Sequence, residues 1–185
     1  EAEQARKEDF DPPECFRVDL AGAVLNLAAW GVTVPENFRW LDVPAPLVMQ
    51  RAVNLLAALG ATEEDGSLTD TGKRMTAFPL PPRLARLMVA GQDEQCAVEL
   101  AAVAALMQGE GVAVKGGLND HLRDSADYTD FQAEWRAVEK AVDAGFGAAA
   151  CTRWGISSRG AREAWMAYRQ LLSVGSRGKA RETPG

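Results

Sequence analysis

The chain of 185 residues has a single histidine, only three cysteines and no long apolar run, and each shortage removes a class of function. His121 stands alone in a glycine-containing loop, with no cysteine or carboxylate cluster around it at metal-ligand spacing. Neither a metal centre nor a histidine-based nucleophile constellation can be assembled from it. Cys15, Cys96 and Cys151 are odd in number, far apart and never in C-x-x-C pairs. Free, mostly buried thiols in a reducing cytoplasm are the expectation. No stretch approaches the roughly 18 consecutive apolar residues that a bilayer span needs. The opening EAEQARKEDF is acidic and polar, where a signal peptide is basic and then apolar. No membrane partner is expected, and no internal repeat is present. The chain opens on Glu1 rather than Met, which is read as the start of a piece of a longer protein.

Nucleotide-hydrolysis motifs are missing as well. Gly72-Lys73 is followed by Arg74 where a phosphate loop needs Ser or Thr for magnesium, and Gly66 lies one residue too far away. Gly178-Lys179 is followed by Ala180. Asp93-Glu94-Gln95-Cys96 imitates a D-E-x-x box, but no buried apolar strand precedes it, so these acids are read as the start of a helix. No catalytic residue and no cofactor are expected in this chain.

What is present is an ordinary globular composition, 47% hydrophobic and 25% charged, with uneven charge. Residues 1–150 carry 13 Lys or Arg against 24 Asp or Glu, and residues 151–185 carry 7 against 2, within a net charge of -6. An acidic body repels nucleic acid, so any such contact has to be local and shared with other domains.

The most informative stretch is LGATEEDGSLTDTGKRMTAFPLPPRLARLMV, residues 59–89. Before it, Val48, Ala52, Leu55, Leu56 and Leu59 have the spacing of a helix with one buried face, and Gly60 suits a left-handed C-terminal cap. Asp65-Gly66 is a tight-turn dipeptide between two very short segments, which predicts a small two-stranded wing. Thr69 is a suitable N-cap for a helix over 70–78. Pro79 ends that helix, and Pro81-Pro82 forces an extended link before helical spacing resumes at Arg83.

Three segments in order, PPECFRVDLAGAVLNLAAWGV, FRWLDVPAP and LLAALGATEEDGSLTDTGKRMTAFPLPPRLARLM, resemble the region that follows the second motor domain of DEAH-box RNA helicases, most like the bacterial HrpA/HrpB-like type. Pro13, Glu14, Arg17, Leu20, Asp42, Pro44, Leu59, Gly60, Gly66, Leu68, Thr69, Gly72, Pro79, Leu80, Pro82, Leu84 and Ala85 carry the resemblance in register. It implies a mainly α fold: a winged helix with a short β-wing, followed by a ratchet-like helical bundle. The implied division is a linker from a motor domain at 1–15, a winged-helix domain at 16–82, a ratchet-like domain at 83–173 and a flexible basic tail at 174–185.

Elsewhere, Asp19 can cap a helix over 20–30 that Gly31 ends. Cys96, Leu100, Val103 and Met107 predict an amphipathic helix over 93–108, and the glycine-containing 109–127 reads as a loop. Phe131, Trp135, Val138 and Val142 predict a helix with an aromatic inner face. Residues 151–172 resemble the family's long ratchet helix, through Cys151, Ile156, Arg159, Gln170 and Leu171. The family's Tyr-Arg pair and final I-R-x-Q-L are altered: Ser158 and Tyr168 stand where Tyr and Arg are expected. The family's H/D-x-G-D-H element is replaced by Asp127-Tyr128-Thr129-Asp130.

At 100° per residue, Arg159, Arg162, Met166 and Arg169 fall on one stripe of that helix and Ala161, Trp165, Tyr168 and Leu172 on another. Guanidinium forks suit phosphate oxygens and stack on bases. Arg159, Arg162 and Arg169, with Arg153, are therefore the candidate nucleic-acid contacts, and Lys73 and Arg74 a secondary one; a solvated face is the competing reading. The resemblance further implies a non-catalytic role in an ATP-dependent RNA helicase. The chain would close a single-stranded RNA channel against RecA-like motor domains, which would hold ATP and Mg. A winged-helix DNA-binding regulator and a protein-interaction module stay open as alternatives.

Overall fold

The computed structural model describes residues 19–109, 111–114 and 130–181, with side chains described as far as Gly175. The expected linker at 1–15 with Glu14, and Arg17, His121, most of the 109–127 loop, Asp127 to Thr129 and the last four residues lie outside the described residues. Within them are eight α-helices: α1 Ala21–Ala29, α2 Pro46–Ala58, α3 Asp70–Met75, α4 Pro82–Asp93, α5 Ala97–Gln108, α6 Asp130–Asp143, α7 Ala148–Arg153 and α8 Ser158–Arg181. A 3-10 turn, Pro35–Asn37, lies between α1 and α2. The chain divides into two compact units, one reaching Thr76 and including Pro81–Arg83, the other comprising Ala77–Leu80 and everything from Leu84.

In the first unit Asp19 accepts a hydrogen bond from the Ala21 amide at 2.9 Å, and α1 buries Val24, Leu25, Leu27 and Ala28. Pro46 opens α2, where its missing N–H costs nothing. Met49, Ala52 and Leu56 form the buried face of α2, which packs on α1. Of the expected face Ala52 and Leu56 are buried and Val48, Leu55 and Leu59 half-buried, while Met49 adds a core position that the spacing leaves out. Gly60, at φ +67°, lets the chain turn so that the Ala61 amide donates to the Leu56 carbonyl at 2.9 Å.

The short β-wing is not formed as strands. Among the described residues of this segment there is one isolated antiparallel bridge, Thr62 to Leu68, around a turn in which the Gly66 amide donates to Glu63 O at 3.0 Å and Glu63 N to Ser67 O at 2.8 Å. The physical reason is length: with the turn spanning 63–66, one residue on each side is left to pair. Asp65 accepts from the Ser67 amide at 2.9 Å, and the Ser67 hydroxyl first and this amide second hold its carboxyl below the usual range. Helix α3 is also shorter than the expected 70–78. It stops at Met75, where the Thr76 hydroxyl donates back to the Lys73 carbonyl at 2.7 Å.

In the second unit the helix expected over 93–108 starts later, at Ala97, as α5. Asp93 closes α4 and Glu94 lies in the following turn, so these acids end a helix rather than start one. Gln95 takes a left-handed φ of +60°, and the Cys96 amide donates to Gly91 O at 2.9 Å to complete the cap. The inner face of α5 is also not the one expected. Met107 is 53% exposed, and the buried residues are Ala101, Ala102, Ala104, Ala105 and Leu106. Alanines let helices approach closely, and α8 packs more extensively on α5 than on any other helix. Helix α6 likewise buries Ala133, Ala137, Val138 and Ala141, while Phe131 is 43% exposed. These residues join Leu106, Val112, Cys151, Ile156, Ala161 and Ala164 in one core, and Trp135, Phe146, Trp154 and Trp165 close its rim.

The segment 151–172 breaks once. Helix α7 ends at Arg153, and the Ile156 amide caps it by donating to Cys151 O at 3.0 Å. An isolated bridge joins Ile156 to Ala113, and Ser157 N donates to Val112 O at 2.9 Å. From Ser158 the long helix α8 runs to Arg181, so the stretch expected as a flexible tail from residue 174 is helical that far.

Candidate nucleic-acid interface

Helix α8 positions the arginine stripe. Its core-facing residues are Ala161, Ala164 and Leu171, while Arg159, Arg162, Met166 and Arg169 are all exposed. The second stripe is half-buried: Trp165 stacks on Trp135 of α6 at 6.0 Å between ring centroids, and Tyr168 tilts against Trp135 at 4.7 Å. Burial, followed by the charges of Glu139 and Glu99, raises the Tyr168 hydroxyl above its usual range. This phenol stays protonated at neutral pH and acts as a packing group.

The stripe's guanidiniums differ in their engagement. Arg159 Nε bonds Glu163 Oε1 at 2.8 Å, one helical turn on, with the two side chains 87% and 54% exposed. An exposed i,i+4 pair contributes about 0.3–0.5 kcal/mol, so a phosphate can displace it cheaply. Arg162 holds its guanidinium carbon 5.1 Å from the Phe146 ring centroid. Phe146 is fixed in turn: it has a left-handed φ of +57°, and its carbonyl accepts from Ser158 Oγ at 2.7 Å. Arg169 is exposed beyond Met166.

Arg153 is not on this stripe. It ends α7, before the break, with its guanidinium carbon 5.6 Å from the Trp154 ring centroid. Lys140, which sequence spacing does not single out, sits over the same ring at 4.4 Å. Its only sequence signal is a basic residue in the last turn of a helix, where the dipole favours cations. Lys73 and Arg74 belong to the first unit, on α3. Lys73 pairs with Asp70 at 3.0 Å, and Arg74 is half-buried.

Among the described residues no group of three or more His, Cys, Asp or Glu could hold a metal ion. A cleft of about 280 Å³ is lined by residues that include Leu106, Gln108, Val112, Glu163 and Ala164. Its polar side chains are engaged: Gln108 donates to Pro79 O at 3.2 Å, and Glu163 accepts from Arg159. No helix of the described residues is long and apolar enough to cross a membrane.

The first unit defines a helical, winged-helix-like class, with α2, the 63–66 turn and α3 in consecutive order. Residues 52–80, which hold most of α2, the turn and α3, match the family model described as the helicase associated domain (HA2), winged-helix. The match supports a helicase-associated winged helix in this segment; it does not distinguish branches of helicases.

Proposed function

We propose that the chain is the winged-helix plus ratchet-like region of a DEAH-box ATP-dependent RNA helicase, most like the bacterial HrpA/HrpB-like type. The observation that carries this reading is the helicase-associated winged-helix match at 52–80, which falls on the α2–turn–α3 order. On this reading the chain acts in the cytoplasm beside RecA-like motor domains that hold ATP and Mg, and performs no hydrolysis itself. It supplies one wall of a single-stranded RNA channel and helps couple hydrolysis to movement along the strand. Arg159, Arg162 and Arg169 on α8, with Arg153 on α7, contact RNA phosphates and bases; Lys73 and Arg74 make at most a secondary contact.

The arrangement favours RNA at α8 over duplex reading by the winged unit. The turn tip is seated against the chain near Thr33, Lys73 is paired with Asp70, and no extended wing projects from the described residues. The test is nucleotide hydrolysis. The full-length protein that carries this chain should hydrolyse ATP with stimulation by single-stranded RNA, and the 185-residue chain alone should hydrolyse none. Hydrolysis by the isolated chain, or a full-length protein without RNA-stimulated activity, would overturn the reading. Salt-dependent duplex DNA binding that disappears on changing Lys73 and Arg74 would support a DNA-binding regulator instead.

A further inference from the structure

The arginine stripe of α8 is interrupted by one apolar residue. Met166 is 66% exposed, more than any other large hydrophobic described in the second unit, and it is the only exposed apolar side chain among those described on α8. The helix turns Ala161, Ala164 and Leu171 to the core, so packing within this unit does not account for an apolar side chain at 166. On the helix surface the neighbours of Met166 lie three and four positions away: Arg162, Glu163, Arg169 and Gln170. Glu163 is engaged by Arg159 at 2.8 Å, which leaves the charges of Arg162 and Arg169 one turn before and one turn after Met166. Among the described residues neither of these two is in an ion pair with a carboxylate. The helical rise sets them about 10 Å apart along the axis, with the thioether between them. The Phe146 ring holds the Arg162 guanidinium, whose carbon is 5.1 Å from the ring centroid, and Met166 stays open to solvent. An apolar centre with a cation on either side fits a ligand of the same pattern, a flat apolar group between two anions. A single strand of nucleic acid has that pattern: a polarizable thioether packs on the ring of a base, and guanidinium forks take phosphate oxygens.

We propose that Met166, framed by Arg162 and Arg169, is a platform on which one base of single-stranded RNA stacks while the two guanidiniums hold phosphates on either side. This rests on the RNA-helicase reading above and adds to it a base contact that carries no charge. Such a contact releases no counterions. Its loss therefore lowers affinity by the same factor at every salt concentration, whereas the loss of an arginine also flattens the salt slope.

The experiment measures binding of three probes to the full-length protein across a salt series: a labelled oligouridylate, an abasic strand of the same length, and polyglutamate. M166A should weaken oligouridylate binding about three- to tenfold with the parental slope, and should leave binding of the abasic strand unchanged. M166F restores a flat apolar surface and should bind oligouridylate at least as tightly as the parent does. Both substitutions are at an exposed position, so the melting temperature should stay parental and the binding data stay interpretable. Parental oligouridylate affinity in M166A, or an equal loss for the strands with and without bases, overturns the platform. A loss confined to polyglutamate also overturns it and gives the face to an acidic peptide. If the parent binds neither strand, the helicase reading falls together with the platform. If the parent binds and the α8 arginine variant is weakened while M166A is not, the platform alone falls.

Discussion

A Cβ placed on Gly66 would lie 2.1 Å from the carbonyl oxygen of Thr33, so the tip of the 63–66 turn is seated directly on the segment that follows α1. Gly66 also has φ +82°, a conformation that other residues adopt at a cost. Both effects act in the same direction in G66A. The variant should lose at least about 2 kcal/mol, read as a fall in the denaturation midpoint. A wild-type midpoint would mean that the turn stands free of Thr33.

Thr69 links the turn to α3 through one hydroxyl. Its Oγ1 accepts from the Gly72 amide at 2.9 Å and donates to the Gly60 carbonyl at 2.6 Å. Replacing it with Ala removes the N-cap and leaves Gly60 O without that donor, costing about 1–2 kcal/mol. T69S keeps the oxygen and should recover most of the loss in the same urea titration.

In α5 the alanines set how near α8 can come. Ala101 and Ala104 are fully buried. A104L adds volume at a fully buried position and should destabilise by about 1–3 kcal/mol, whereas M107A, at an exposed position, should change thermal stability little. Equal effects would contradict this assignment of the inner face.

This pair of residues also marks where the sequence is legible and where it is not. Local signals with a single geometric solution read correctly: the Gly60 cap, the Asp65-Gly66 turn, the Thr69 N-cap and the exposed arginine stripe of α8. Apolar spacing misplaces the inner face of α5 and wrongly adds Phe131 to that of α6, where Val138 and Trp135 do face the core, because it weights Met107 and Phe131 above alanine although closely packed helices bury the small residues. The breaks at Gln95 and at 154–157 are hidden for a related reason. Gln95 adopts a left-handed conformation without being glycine, and the 154–157 break is held by pairing with Val112 and Ala113, distant in sequence. Lys140 is invisible to spacing because only the folded α6–α7 turn brings it to Trp154.

Glu134 offers a pH test. Burial, then the charge of Asp130 one turn earlier, raises its carboxyl above the ordinary glutamate range. A raised acid favours the fold when protonated, so its contribution is present below the unfolded value and is lost as pH rises through the folded one. E134Q should therefore melt higher than the parent at about pH 7, and the two curves should converge below about pH 4. A difference that grows on acidification would have the wrong sign.

The most direct measurement of the central claim is single-stranded RNA binding by the full-length protein, with and without R159E/R162E/R169E, over a range of salt. Three phosphate-binding arginines at about 0.7 each predict that the variant's slope flattens by about 2, with weaker binding throughout. An unchanged affinity and slope would contradict the account and leave the α8 stripe as ordinary solvated surface.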